Sequence, residues 1–427
     1  MTLRLTREQQ DILEGKAGET LAKVLGSVVR YGEAFGASEL VPLTGPVHLV
    51  TSFGARITEP LYRVMDELVR AGLRTTLPFT LDPRPYDFDS MRYTIPEKLL
   101  FRFIYSRQEE YERSLRQVGL RDEQAFSCAC YLEEVGNIPA EGDVLAWAES
   151  SAVAYANSVL AARTNRNSAL IELFSGILGL TPRFGLLTEE GRKARWLVEV
   201  KTGSKPEAQI LGSAIGMRVM EDVPYITGLD RHVGDRLTAE LRDYLKDMGA
   251  AAASNGAVGL YHVENVTPEA RRQGRRLLDQ ACGTYVVDDA ELARIRGGYP
   301  QLWRKPDARP KQCFIGCPHL SYAQAVGWLG RTLERVERAR ARRLAVPTAL
   351  CCPPAVAEKV RAEQGERCGR FFKAGGRLTS LCPLMHMSNP LCARKSVITN
   401  SNKLRTYTTA RYHTDEEILE LIVGGTE

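Results

Sequence analysis

What the sequence lacks bounds it first. No apolar run approaches the roughly eighteen residues that a membrane-spanning helix needs. The N-terminus, MTLRLTREQQDILEGKAGE, has no apolar core of a secretory leader, so a cytoplasmic protein is expected. Low-complexity tracts, short-period repeats and flexible linkers are also missing. There are 10 cysteines but no paired CxxC spacing, which argues against a structural zinc site. In a reducing compartment they do not form a disulfide framework either. Any metal must therefore be held by cysteines that the fold gathers from distant segments.

What is present is ordinary for a globular chain: 427 residues, 44% hydrophobic and 26% charged. That length permits a large core and two or three subdomains. The net charge of +5 is spread along the chain. Its densest run, Arg331 to Arg343, interleaves glutamates at helical spacing and reads as a solvated helix face. Neither a nucleic-acid nor a membrane partner is expected.

The pattern predicts helices over 7–35 (broken at Gly15 and Gly18), 60–71, 97–118 and 144–162. Strands are expected at 47–51, 75–81 and in the apolar run FSCACY (126–131), which would turn Cys128 and Cys130 the same way. From about residue 196 strands and helices alternate. Strands fall at 196–200, 224–228, 258–262, 284–287, 312–315, 349–352, 378–382 and 397–399, with helices at 236–248, 268–280, 289–296, 322–342 and 355–374. Such alternation predicts α/β layers with largely parallel sheets.

Four constellations carry chemistry. In KQCFIGCPHL (311–320) a short strand ends at Gly316. That puts Cys317, Pro318 and His319 at its carboxyl edge, before a helix capped by Ser321. Cys128 and Cys382 follow or end similar apolar runs, and three thiolates converging from separate strand ends suit an iron site with one open coordination position. The alternative is three unrelated buried cysteines. The second constellation runs from Glu149 and Ser150 through Asn157 to Arg163, Thr164, Asn165 and Arg166, a cradle for a carboxylate or phosphate. The third is His262, before the helix start Thr267-Pro268. The fourth is the turn Thr399 to Lys403, whose backbone amides, with Ser401 and Lys403 beside them, offer an anion site.

Together these stretches resemble the large, catalytic subunit of the aconitase X family. The matching features are TREQQDILEGKAGETLAK, the cysteine of FSCACY, GNIPAEGDVLAWAESSAVAYANSVLAARTNR, GLYHVENVTPEA, GCPHLS, the LCP around Cys382, and VITNSNK. They occur in family order over nearly the whole chain. The resemblance implies an aconitase-like α/β fold, several subdomains with largely parallel sheets around a central cleft. Residues 1–427 would form the catalytic region, divided at about 195/196, and the swivelling small-subunit domain would be a separate chain.

It also implies a hydro-lyase, since members dehydrate cis-3-hydroxy-L-proline or, in archaea, mevalonate 5-phosphate, using an iron–sulfur cluster. Carried over, it makes Cys128, Cys317 and Cys382 the metal ligands, of a 4Fe–4S or 2Fe–2S cluster or of mononuclear iron. Glu149, Ser150, His262, His319 and Lys403 become catalytic candidates; Asn157, Arg163, Thr164, Asn165, Arg166 and Ser401 become substrate-binding ones. The expected partners are the small subunit, which would carry the serine base, and a small anionic substrate. Several positions depart from the family pattern. Asn167-Ser168-Ala169 stands for Glu-Gly-Gly, Gly185-Leu186-Leu187 for Gly-Leu-His, Ser380-Leu381-Cys382 for Asp-Thr-Cys, and Thr80-Leu81-Asp82-Pro83 for Thr-Leu-Asn-Pro. These changes leave two alternatives: a cluster-bearing binding or regulatory paralogue without turnover, and an isomerase of the aconitase type.

Overall fold

The computed structural model describes residues 3–52, 54 and 58–424. Two parallel sheets dominate the second half of the chain. The four-stranded one runs His262–Val263, Pro224–Thr227, Ala194–Val200, Leu278–Val287 in spatial order. Arg377–Thr379, Thr348–Cys351, Gln312–Ile315, Val397–Thr399 and Arg411–Tyr412 form the five-stranded one. Crossover helices cover both, as parallel pairing requires. Helices Ala208–Val219 and Ala239–Asn255 share an apolar core with the first sheet, and Tyr322–Arg338 and Asp415–Val423 with the second. The first 180 or so residues pack a third core around helices Glu19–Ala34, Glu59–Arg70 and Gln108–Val118. The α/β reading therefore holds.

Where elements differ from the sequence pattern, local chemistry explains it. The helix expected at 97–118 is two helices, Ile95–Ile104 and Gln108–Val118. Between them Gln108 turns inward, accepting from the Gly54 amide at 2.7 Å and donating to Ser52 O at 2.8 Å. The helix at 144–162 contracts to Ser150–Ser158, because Val144 and Trp147 instead pair in extended form with Arg163 and Arg166. The helix at 268–280 ends at Gln273, where Gly274 adopts φ 55° and the chain passes into the strand Leu278–Val287. A break at Gln364 divides the one at 355–374 into Pro354–Glu363 and Gly365–Ala374.

FSCACY is not a strand. Ser127 N donates to Leu81 O at 2.7 Å, and Ser127 Oγ then accepts from the Ala129 amide at 3.0 Å and folds the run into a turn. Cys128 and Cys130 consequently point apart: Cys130 joins the apolar core and Cys128 faces a cavity. The strand at 258–262 shrinks to His262–Val263, since Gly259 O and Tyr261 N bond instead to Asn157 and Ser158. At Gly316, with φ 102°, an added Cβ would lie 2.3 Å from Cys351 O, so glycine alone permits the turn into Cys317.

Candidate active site

Loops from three regions close on one cavity of about 330 Å³. The first region contributes Ser52, Asp82 and Cys128; the start of helix Ser150–Ser158 contributes Glu149 and Ser150. The carboxyl edge of the five-stranded sheet contributes Cys317, His319, Cys382 and Lys403, and Arg166 reaches in from the segment after that helix. Strand Arg377–Thr379 stops before Cys382, which sits at the N-cap of helix Pro383–Met387. The three cysteines, 254 residues apart at the extremes, thus share one wall.

Their environment is unfavourable for bare thiolates. Burial raises all three pKa values, Cys317 to about 11 and Cys128 well above the ordinary thiol value. The charge of Cys317 pushes Cys128 and Cys382 further in the same direction, while Lys403 opposes it. Cys128 Sγ also accepts from the His319 amide at 3.3 Å. His319 itself is fully buried and held down to about 4 by that burial. Its neutral ring donates from Nε2 to Leu381 O at 3.2 Å, with Nδ1 3.4 Å from Ser127 Oγ. The GCPHL turn is further fixed by the buried Lys246, whose ammonium donates to His319 O at 3.0 Å.

Lys403, its side chain 12% exposed, and the buried Glu149 form an ion pair at the cavity. Burial alone would lower the lysine pKa, but the carboxylate and the thiols outweigh it and the value is raised. For Glu149 burial pulls upward and Lys403 outweighs it, leaving the pKa lowered. Glu149 also caps its helix, accepting from the Ala152 amide and Ser151 Oγ at 2.6 Å each. Lys403 Nζ adds bonds of 3.3 Å to Ser150 and Ser151. Two more charged residues line the cavity: Arg166 is exposed, with no carboxylate partner among the described residues, and Asp82 faces the same space. Burial pushes Asp82 up to about 6, against the pull of His48 and Lys403. His48 lies behind it, fully buried, with Nε2 3.5 Å from Asp82 Oδ1 and Nδ1 2.9 Å from Thr80 Oγ1.

The remaining residues singled out from sequence lie outside this cavity. Asn157 is a strut that donates to Thr164 O and Gly259 O at 2.9 Å and accepts from the Thr164 amide and Arg192. Thr164 donates to Asn165 O, and Asn165 ties Phe184 O to the Leu186 amide. Arg163 turns away to pair with Glu189. His262 donates from Nε2 to Arg192 O at 2.9 Å, beside a buried Arg192–Glu269 ion pair that no local pattern announces. Ser401 Oγ donates to Cys317 O and caps the helix Asn402–Tyr407. Two amides of that turn are engaged, Ser401 N by Thr399 Oγ1 and Asn402 N by Gln209. Residues that pattern reading passed over are Asp82, Ser52, His48 and Lys246. Only Asp82 left a trace, as a departure from a family motif.

Comparison with known proteins is consistent with this arrangement. The chain matches the family models described as Aconitase X first domain (residues 2–190) and Aconitase X second domain (residues 194–297). It is 31% identical to the phosphomevalonate dehydratase large subunit of Thermococcus kodakarensis, over 82% of each chain. With the protein of the same description from Methanocaldococcus jannaschii it shares 28% over 94% of each. It is 28% identical to the cis-3-hydroxy-L-proline dehydratase of Pseudomonas aeruginosa, over 75% of this chain and 53% of that one. The crystal structure of Thermococcus kodakaraensis aconitase X in its holo-form superposes with a TM-score of 0.80 at 27% identity, covering 98% of this chain and 100% of the other.

Proposed function

The chain belongs to the aconitase X family of hydro-lyases, and from that premise we propose that it is the catalytic large subunit of a two-chain iron–sulfur dehydratase. The observation that carries the reading is one cavity wall shared by Cys128, Cys317, Cys382, the Lys403–Glu149 pair and Arg166.

Three cysteine thiols lining one cavity are the donor type that iron–sulfur clusters use. Cys317 pushes the pKa of Cys128 and Cys382 upward, and three thiolates so placed call for the positive charge that iron brings. When bound, the cluster supplies a Lewis acid for the departing hydroxyl. Protein residues supply the rest. Arg166 holds the substrate carboxylate in a bidentate fork. Lys403, kept protonated by Glu149, places a positive charge where negative charge develops on the leaving oxygen. His319, neutral and locked, orders the loop that carries Cys317 and contacts Cys128. The proton is accepted by a residue of the small subunit.

The substrate is a small hydroxy acid such as cis-3-hydroxy-L-proline or mevalonate 5-phosphate, the compounds for which relatives are named. Asp82 favours the first. A carboxylate here, where the family usually has Asn, attracts the cationic nitrogen of an imino acid and repels a phosphate.

Anaerobic reconstitution with iron and sulfide should give visible absorption that Cys128→Ser, Cys317→Ser and Cys382→Ser each weaken or abolish, with dehydration lost in parallel. Undiminished absorption in all three variants would remove the ligand assignment.

A further inference from the structure

A parallel sheet has two unlike edges, and the cavity described above uses only the carboxyl edge of the five-stranded sheet. Lys311 and Ser396 precede strands Gln312–Ile315 and Val397–Thr399, whose far ends lead to Cys317 and Ser401. At this amino edge the two residues line a second cavity of about 610 Å³, together with Trp303, Arg304, Lys305 and Arg394. The two cavities have no lining residue in common.

Two independent observations mark the second cavity as a binding site. The first is charge. Five cations line it and no carboxylate does. Lys395 is neutralised by Glu97, but Arg304, Lys305, Lys311 and Arg394 have no ion-pair partner among the described residues. Asp307 is the carboxylate that acts on the neighbouring Arg411. The second observation is an orphaned donor. Trp303 is 9% exposed, and its Nε1 lacks an acceptor. Arg411, which does not itself line the cavity, lies 3.8 Å over the Trp303 ring and adds a positive charge behind it. Buried N–H groups are rarely left unsatisfied, because stripping them of water without replacement is costly.

Unpaired cations around an orphaned donor call for an anion with several acceptor oxygens, and a phosphate group has the charge and geometry that arginine and lysine read. We propose that this groove binds a phosphate-bearing small molecule, at a site separate from the dehydratase centre. The cations gather around one cavity lined by Trp303, unlike the extended basic stripe that nucleic acid requires.

The test uses the full-length, cluster-loaded protein and inorganic pyrophosphate, with binding followed by calorimetry and tryptophan fluorescence. Saturable one-site binding is expected, about tenfold or more weaker in a Lys305→Ala/Arg394→Ala double variant. Both side chains are exposed, so that variant should keep its fold, cluster absorption and dehydration rate. A Trp303→Phe variant should lose the fluorescence response while calorimetry still reports binding. Three results would overturn the proposal: no saturable heat at millimolar pyrophosphate, equal affinity in the double variant, or displacement by a short duplex oligonucleotide with steep salt dependence. None of these readouts needs turnover, so failure here is separable from failure of the dehydratase reading.

Discussion

Arg166 reaches the cavity with no ion-pair partner among the described residues, while Asp82 faces the same space with His48 behind it. The wall therefore presents a cation for a carboxylate and a carboxylate for a cation. Asp82→Asn, which restores the usual family residue, should raise KM for cis-3-hydroxy-L-proline about tenfold with a smaller change in kcat. The pH profile supplies a second check. Burial raises the Asp82 pKa to about 6, so its charge is present above that pH and lost below it. KM in the parent enzyme should accordingly climb as pH falls through 6, and Asp82→Asn should lack that inflection. An unaltered KM profile in the variant would remove Asp82 from substrate recognition. Arg163 shows the limit of reading residues by type. Both arginines of RTNR offer the same fork, but Arg163 meets Glu189 from a loop some 26 residues on, and nothing local in the sequence announces that partner.

Helix Ser150–Ser158 shows the same limit at the level of an element. Its apolar and small residues made a longer helix plausible, and Ser150 and Glu149 were expected at a polar centre. What periodicity does not reveal is that residues 144–147 pair with 163–166 instead, so that the helix begins at the cavity with Glu149 as its cap. By contrast, strand–turn–helix units with strong local signals were legible: Gln312–Ile315 and Val397–Thr399 appear with the expected bounds, and Ser321 forms a capping box with Gln324. Elements set by local chemistry are readable, whereas those set by a distant partner, such as the turn at Cys128, are not. The helix start also gives a stability prediction. Glu149→Ala removes a cap and leaves the largely buried Lys403 ammonium without its counter-charge, costing about 3–5 kcal/mol. Glu149→Gln keeps a capping oxygen and should cost about 1 kcal/mol less. Adding Lys403→Met to Glu149→Ala should recover most of the loss, because the uncompensated charge is then gone. Denaturant midpoints of the metal-free proteins measure this cycle, and purely additive losses would show that the two residues act independently.

On the scale of the whole molecule, the cavity brings together groups that bind and polarise, yet its carboxylates are committed or remote from base duty. Glu149 is held by Lys403, Ser151 and the Ala152 amide, and Asp82 lies 3.5 Å from His48. Half-exposed Tyr407 lines the same cavity, which therefore reaches the surface. Relatives that match over most of their length are named large subunits, whereas this chain spans only 53% and 56% of two cis-3-hydroxy-L-proline dehydratases. Under the proposed function, the second chain implied by those names supplies the proton acceptor and covers the cavity. General acid–base catalysis contributes about 10²–10⁴-fold, so the cluster-loaded chain alone should turn over slower by that factor than the two-chain enzyme. Covering the cavity should also exclude water and slow bleaching of the cluster in air. Both effects can be followed in one titration, by adding the small subunit stepwise to the anaerobically reconstituted chain and recording rate and visible absorption. Rate and air stability should rise together and saturate at one small subunit per chain. Full-rate dehydration before any addition would show that this chain carries its own base, and Asp82 would then be the first residue to test for that role.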